Sequence, residues 1–473
     1  MPTPSDARFP GDEHDPRSLT DLGLGSRQVP GRQRNVTARP GDPVRGRSSL
    51  PPGVLPHGVA RDRRGEGPAT TDVLVMIDTR SDAIASVPII RALHRHRLLH
   101  PVVTSTGQHR EAVEPILALG GITVDHDLAC VGEPSPNDLV AAIASQFERI
   151  ECSHHPSALL VHADTTAAMA AAISAFHLGV AVVHLDGDRS PSSAPSAVLD
   201  ATNRRIISEL ACLHLVTTSA SARSAVSEGA PFDQVYVCGS TNIDTLRWAA
   251  ALQRRPSDPA VAATAASADP LVVVVAHVDD DGTVDRIASG IATLAELRPD
   301  TRFVVPMQPN AAGRRTIVAH LGDRPNVVLS ELLPYAEVAG LLARADLLVT
   351  DSGPLQEAAP ALHTPVLVAA DGTDRTEGVE AGTIAVAGTD PDQLADRCER
   401  LLDDTPERQT MLASANPYGD GEAGTRIAAA LGCLTDGSHD IPERFGPGFD
   451  RTSVMGGGRG AITNGLRFAT AAR

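Results

Sequence analysis

The chain has 473 residues, which is enough for two domains of ordinary size with further segments at the ends. Its formal net charge is -17. Because nucleic-acid binding needs a basic face, we expect no nucleic-acid partner. All 41 of the lysine and arginine positions are arginine, which excludes a Walker-type phosphate lysine, a Schiff base and a pyridoxal anchor.

Cysteine and histidine spacing argues against disulfides and metal. The six cysteines include no CxxC pair, which is typical of reduced thiols in a cytoplasmic protein. His154 and His155 have no further ligands at metal spacing, so we predict no metal site. No apolar run reaches the length of a membrane span, and the amino terminus lacks a signal-peptide core. We therefore expect a soluble cytoplasmic protein without a membrane partner.

Five regions follow one another along the chain. Residues 1–70, rich in Pro, Gly, Arg, Asp and Ser, are predicted to be a disordered leader. Apolar runs alternate with helical segments over 71–253, a low-complexity linker occupies 254–270, and the alternation restarts over 271–435. A disordered tail is predicted for 436–473. Two such series predict two doubly wound, Rossmann-like α/β domains that face each other across a cleft.

Short apolar runs bounded by polar residues are typical of strands covered on both faces of a parallel sheet. Helical segments separate these runs, and one of them ends in glycine. The predicted strands are, in the first series, DVLVMI, HPVVTST, ALLVHA, AVVHLD, LHLVTT and VYVCGS, and in the second, LVVVVAH, RFVVPM, NVVLSE, LLVTDS and PVLVAA.

Charged residues follow several of these strands. In open parallel sheets, ligands bind beyond the carboxyl ends of the strands. Asp164 and Asp186 each follow a predicted strand, Arg80 follows the first one, and Asp200 lies 14 residues after Asp186. Three carboxylates brought together raise one another's pKa, which suits one as acid and another as base. Each aspartate alone could instead be an ordinary cap or turn residue.

The second series offers His277 at a strand end, and the turns TDSGPLQE and DGTDRTE. A strand that ends in Thr-Asp-Ser-Gly and leads into a helix presents free backbone N–H groups, which can hold phosphate. Arg80 could add a contact to the same anion from across the cleft. The same turn could also be a plain helix cap, and His277 alone could be a core histidine.

Several segments carry a family resemblance. DTRSDAI, TGQHRE, HADTT, HLDG and LDATNRR, then VAHVDDD, TDSGPLQEAAP, DRTEGVEAGT and NPYGDG, resemble in order and spacing the motifs of the non-hydrolysing UDP-N-acetylglucosamine 2-epimerases. The resemblance covers roughly Asp72 to Gly432 and identifies a divergent member. It implies a glycosyltransferase-B fold, a UDP-binding second domain and a homodimer. It also implies an isomerase that eliminates UDP, forms 2-acetamidoglucal and adds UDP back, without NAD, metal or another cofactor.

The resemblance assigns roles to the charged residues. Asp164 matches the strand-end aspartate of the family's active site, and Asp186 and Asp200 match its two catalytic glutamates, which are candidates for moving the C2 proton. His277 matches the histidine that contacts the diphosphate. These four residues are the predicted catalytic set.

The predicted substrate-binding set is Arg80, Ser352, Gly353 and Arg375. By resemblance, Arg80 faces the diphosphate, Ser352 and Gly353 form the helix start that holds it, and Arg375 belongs to the nucleotide site. The stretch TGQHRE could line an activator site for the substrate, as in bacterial relatives, or could be a capped loop.

Several positions depart from the family pattern. Both catalytic glutamates are aspartates, and a displacement near 1 Å costs on the order of 100-fold in rate. Ala85 stands for a lysine, Val278 and Asp279 for arginines, Pro354 for a glycine, and Ala358 for the ribose-binding glutamate. Three functions therefore stay open: an active epimerase, a hydrolysing relative that releases N-acetylmannosamine and UDP, and a non-catalytic nucleotide-sugar binder.

Overall fold

The computed structural model describes residues 70–130, 132, 135–187, 195–276, 281–307, 311–436 and 443–446. The predicted leader and tail therefore lie almost entirely outside the described residues, and so does His277. No helix in these ranges is long and apolar enough to cross a membrane. Both sheets described below belong to one compact body.

Seven parallel strands form the first sheet, in the order β3-β2-β1-β4-β5-β6-β7. The central runs are buried on both faces, as their unbroken apolar sequences predict. In register, His162 at the end of β4 pairs with Leu185 at the end of β5, which brings the residues after both strands to one edge. The strands are β1 (Thr71–Ile77), β2 (Leu99–Ser105), β3 (His126–Asp127), β4 (Ala158–His162), β5 (Ala181–Leu185), β6 (Ala211–Val216) and β7 (Val235–Val237).

Polar side chains begin most helices of this series. Thr79 and Asp82 form a reciprocal capping box at the first helix, and Thr165 and Thr218 accept backbone N–H bonds at two others. The helices are α1 (Arg80–Arg95), α2 (Arg110–Leu119), α3 (Pro136–His154), α4 (Thr166–Leu178), α5 (Pro195–Leu210), α6 (Ser219–Ser227) and α7 (Thr241–Ala251).

The second sheet has six parallel strands in the order β10-β9-β8-β11-β12-β13. Its strands are β8 (Leu271–Val275), β9 (Arg302–Pro306), β10 (Val327–Ser330), β11 (Leu347–Thr350), β12 (Val366–Val368) and β13 (Ile384–Val386). Two doubly wound sheets confirm the predicted fold class.

The helices that follow α7 in the chain are α8 (Pro259–Ala265), α9 (Asp281–Leu297), α10 (Ala311–Leu321), α11 (Tyr335–Arg344), α12 (Gly353–Ala358), α13 (Thr376–Ala381), α14 (Pro391–Leu402), α15 (Pro406–Ala413) and α16 (Ala423–Asp436).

Two helices connect the halves of the body, which we call the first and second lobes after the two sheets. Leu246 of α7 is buried in a core of the second lobe, although the chain reaches it directly from the first sheet. Helix α16, the last in sequence, returns to the first lobe, where Ile427 and Leu431 join the core beside α1. Helix α8 lies within the predicted linker 254–270. The boundaries of the domains stay predictions.

Candidate active site

A cavity of about 310 Å³ lies between the carboxyl edge of the first sheet and the helices α12 and α13 of the second lobe. Residues from both lobes therefore face one space, as the fold class predicts for a ligand site. A larger cavity of about 510 Å³ lies between α1, α7 and α16, and no predicted site residue lines it. The ionisable residues that line the smaller cavity, here called the cleft cavity, are His162, Asp186, Glu357, Asp374, Arg375 and Glu377.

Asp164 and Asp200 are brought together beside one arginine. Asp164 follows β4, and its Oδ2 lies 2.5 Å from Nη2 of Arg204 on α5. The neighbouring Asn203 donates from Nδ2 to the carbonyl oxygen of Asp164 at 3.1 Å. Partial burial raises the pKa of Asp200, the charge of Asp164 raises it further, and Arg204 opposes both effects. The carboxyl of Asp200 therefore holds a proton more readily than an exposed aspartate does.

Asp186 follows β5 and lines the cleft cavity. Its backbone N–H donates to the carbonyl oxygen of Leu215 on β6 at 2.9 Å, which extends the sheet pattern by one residue. The turns after β4 and β5 are in close contact, since a Cβ on Gly187 would come within 2.5 Å of the Cβ of Ala163. Glycine at 187 therefore allows the two acidic turns to pack side by side.

Arg375 lines the opposite wall and is nearly buried. Its Nε lies 3.2 Å from Oε1 of Glu357, and its Nη1 pairs with the carboxylate of Asp374. Burial lowers the pKa of Arg375 and raises that of Glu357 to about 7. Ser240, which follows β7, donates to the other oxygen of Glu357 at 2.9 Å. This network crosses from the first lobe to the second.

A second hydrogen bond also crosses the cleft. Thr218 Oγ1, after β6, donates to Oε1 of Glu377 on α13 at 2.8 Å. In the sequence, Glu357 and Glu377 are only the last residues of the turns TDSGPLQE and DGTDRTE, and no motif assigns a role to Thr218 or Ser240. Nothing in the sequence marks pairs separated by 117 and 159 positions.

Arg80 is the first residue of α1 and is partly buried. Its guanidinium carbon lies 5.9 Å from the ring centroid of Tyr335, the first residue of α11 in the second lobe. Burial lowers the pKa of Arg80. The side chain thus contacts the second lobe, but Arg80 is not among the residues that line the cleft cavity. Its predicted contact with the diphosphate stays a prediction.

Ser352 and Gly353 begin α12, with Ser352 at the N-cap position. The N–H of Ser352 donates to Oγ1 of Thr350 at 3.1 Å, so this donor is used inside the turn. The next residue, Pro354, lines the cleft cavity. Two positions that differ from the family pattern are buried: Ala85 on α1 and Ala358 on α12 are 1% and 2% exposed.

The stretch 106–111 comprises the loop after β2 and the first two residues of α2. Thr106 Oγ1 donates to Oδ1 of Asp78 at 2.6 Å, and burial raises the pKa of that aspartate. At the start of α2, the side chain of Arg110 pairs with Asp127 and Glu114. These contacts are those of a strand-to-helix loop, and a role as an activator site stays a prediction.

Comparison with known proteins places this geometry in a family. The family model described as UDP-N-acetylglucosamine 2-epimerase matches residues 91–432. The chain belongs to the UDP-N-acetylglucosamine 2-epimerase family, as the resemblance of its motifs predicts. The members of this family are isomerases.

Individual relatives agree with this assignment. A probable UDP-N-acetylglucosamine 2-epimerase from Ralstonia solanacearum is 35% identical over 371 residues, which cover 76% of this chain and 98% of that protein. A crystal structure of a putative UDP-N-acetylglucosamine 2-epimerase from Listeria monocytogenes superposes with a TM-score of 0.73 at 29% identity, covering 80% of this chain and all of that one.

A UDP-GlcNAc 2-epimerase from Neisseria meningitidis, solved with UDP-GlcNAc bound, is 30% identical with a TM-score of 0.67, covering 76% of this chain and 99% of that one. These likenesses confirm the glycosyltransferase-B fold of the two lobes.

Proposed function

We propose that this family member interconverts UDP-N-acetylglucosamine and UDP-N-acetylmannosamine by eliminating UDP and adding it back through 2-acetamidoglucal. The observation that carries the proposal is the acidic group at the carboxyl edge of the first sheet. Asp186 lines the cleft cavity, Asp164 follows β4, and Asp200 lies on α5, close to Asp164 and Arg204. A group of carboxyls, one of which has a raised pKa, suits the removal and return of a C2 proton.

Each residue of the predicted catalytic set has a proposed role in the elimination and re-addition of UDP. Asp186 and Asp200 are the proposed groups that move the C2 proton, and Asp164 sets the charge around them. Elimination leaves the C1–O bond pair on UDP and forms a C1–C2 double bond, and re-addition reverses both changes. His277 is the proposed diphosphate contact, by resemblance alone.

The UDP-sugar binding set is proposed on the opposite wall. Arg375 is held in place by Glu357 and Asp374, and a helix start at Ser352 and Gly353 adjoins the cavity through Pro354. Arg80 approaches from the first lobe beside Tyr335. A homodimer is proposed as well, and this rests on the family resemblance.

The test is proton NMR of the purified protein with UDP-N-acetylglucosamine in deuterated water. Deuterium at C2 together with UDP-N-acetylmannosamine is the expected result. Free N-acetylmannosamine with UDP would instead identify a hydrolysing enzyme. Binding of UDP without exchange would contradict catalysis on this substrate and indicate a nucleotide-sugar binder.

A further inference from the structure

His162 is the last residue of β4 and lines the cleft cavity, yet none of the roles above uses it. Its Nδ1 lies 2.8 Å from Oδ1 of Asp82, on the first turn of α1. The side chains of His162 and Asp82 are 12% and 5% exposed. A shielded carboxylate at this distance fixes the orientation of the imidazole.

Asp82 can only accept at both of its oxygens. Its Oδ2 accepts the backbone N–H groups of Asp78 at 3.0 Å and Thr79 at 2.8 Å. Nδ1 of His162 must therefore carry the hydrogen that bonds Oδ1, which leaves a lone pair on Nε2. Among the described residues, no second hydrogen bond to His162 is present, so Nε2 is available to a molecule in the cavity.

The surroundings of His162 are acidic. In register it pairs with Leu185, the residue before Asp186, and Asp164 lies two positions further along its own turn. Across the cavity stand Glu357, Asp374 and Glu377, with Arg375 as the cation. An imidazole among carboxylates can take up a proton without leaving an isolated positive charge.

We propose that His162 is a proton-transferring residue of the epimerisation and that Asp82 is its positioning residue, an inference that rests on the proposed function. In the elimination step Nε2, rather than one of the two aspartates, takes the proton from C2 of the sugar, and Asp186 or Asp200 keeps the opposite transfer. The C–H electron pair forms the C1–C2 double bond, and the C1–O pair leaves with UDP. Asp82 balances the charge of the imidazolium. In the return step UDP oxygen re-forms the bond to C1, and the electron pair of the double bond takes a proton at C2 from the protonated form of Asp186 or Asp200. The imidazolium then gives its proton to solvent, from which that aspartate regains one.

Substitutions at Asp82 separate this role from packing. In Asp82→Asn, the side-chain carbonyl must replace Oδ2 to keep the bonds from Asp78 and Thr79. The amide NH₂ then faces Nδ1, which must become the acceptor, and Nε2 of the neutral ring becomes an N–H donor. Asp82→Glu keeps a carboxylate at the third helical position, where glutamate serves capping boxes well.

The experiment measures deuterium incorporation at C2 of UDP-N-acetylglucosamine, kcat and KM separately, and UDP affinity by calorimetry. For His162→Gln and Asp82→Asn we expect exchange and kcat to fall on the order of 10²–10⁴-fold, with UDP affinity unchanged. Asp82→Glu should recover most of the rate. The matched control is His154→Gln, because Nδ1 of His154 also contacts an aspartate, Oδ2 of Asp72 at 3.1 Å, but the residue does not line the cavity.

Full activity of His162→Gln would overturn the inference, and so would a loss confined to KM and UDP affinity. If His162→Gln does not fold, the two Asp82 variants decide. A low kcat in Asp82→Asn with a nearly normal kcat in Asp82→Glu supports the inference, and equal kcat values in the two variants overturn it. Absence of exchange in the wild-type protein would show instead that the proposed function is wrong, and the inference would fall with it.

Discussion

At the residue scale, the charge of Arg204 opposes the rise in the pKa of Asp200. Partial burial and the charge of Asp164 raise the pKa of Asp200, and Arg204 lowers it. In Arg204→Met we expect that pKa to rise further, so that the ionised form is lost at a higher pH. If Asp200 must be ionised to accept a proton, the acid limb of kcat/KM moves to higher pH, which a pH–rate profile measures.

Arg205→Met provides the control, because the neighbouring Arg205 is exposed and lies one position further along α5. Its profile should overlay that of the wild-type protein. An acid limb that stays in place, or moves to lower pH, in Arg204→Met would contradict the electrostatic account of this pair.

Residue-scale features differed in how well the sequence could predict them. Asp164 and Asp186 were predictable because each ends an unbroken apolar run, and such runs become neighbouring strands with a common edge. The bond between Asp82 and His162 joins positions 80 apart, and that between Thr218 and Glu377 joins positions 159 apart. Their side chains meet only once the sheet and both lobes have formed.

At the element scale, one carboxyl joins α7 to α16. Asp244 accepts from the N–H groups of Gly424 at 2.8 Å and Ala423 at 3.3 Å, and burial raises its pKa to about 6 from an ordinary value of 3.8. A raised pKa means that its stabilising contribution is full below 3.8 and is lost as pH rises through 6. Relative to wild type, Asp244→Asn should therefore gain about 1 kcal/mol in unfolding free energy between roughly pH 5 and pH 7.5.

Urea unfolding at each pH measures this difference. Asp420→Asn is a control for which the stability change with pH should have the opposite sign, because hydrogen bonds from Arg426 lower the pKa of Asp420. Stability relative to wild type should then decrease as pH rises through the titration of Asp420. If the stability of both variants relative to wild type changed in the same direction with pH, burial would not be what sets the pKa of Asp244.

Helix α16 approaches α1 so closely that one position requires glycine. A Cβ on Gly424 would lie 2.7 Å from the carbonyl carbon and oxygen of Pro88. Since backbone atoms cannot move aside cheaply, Gly424→Ala should destabilise the protein by about 1–3 kcal/mol in denaturant unfolding. The control is Gly313→Ala on α10, whose nearest neighbour would be 3.9 Å away. Equal stabilities of the two variants would contradict this packing argument.

Elements of the sheets were predictable wherever apolar runs were long. The sequence did not indicate two strands, β3 and β13. Strand β3 consists only of His126 and Asp127 and so has no apolar run, and β13 has only three residues. The return of α16 to the first lobe was not predictable either. An apolar helix face can pack on either core, and the close approach of Gly424 to Pro88 exists only in the folded structure.

At the scale of the whole molecule, Trp248 reports on both lobes. It is the only tryptophan of the chain, lies on α7, and packs against a core of each lobe. Arg91 of α1 lies over its ring, with the guanidinium carbon 4.4 Å from the centroid. Because α7 and α16 tie the cores together, we expect tryptophan fluorescence and far-ultraviolet circular dichroism to change at the same urea concentration.

Two separated transitions in circular dichroism, with fluorescence following only one, would show instead that the lobes unfold independently. Leu246→Ala sharpens the comparison, because this fully buried side chain of α7 lies in a core of the second lobe. Its truncation should cost about 2–5 kcal/mol and shift both signals together.

The return of α16 also decides how the molecule carries mechanical load. Thr71 begins β1 and Asp436 ends α16, and both elements belong to the first lobe. The second lobe is therefore a continuous insertion between α7 and α16. When residues 71 and 436 are pulled apart, tension passes through the contact of α16 with α1 and bypasses the second sheet. The second lobe bears force only after α16 has been detached.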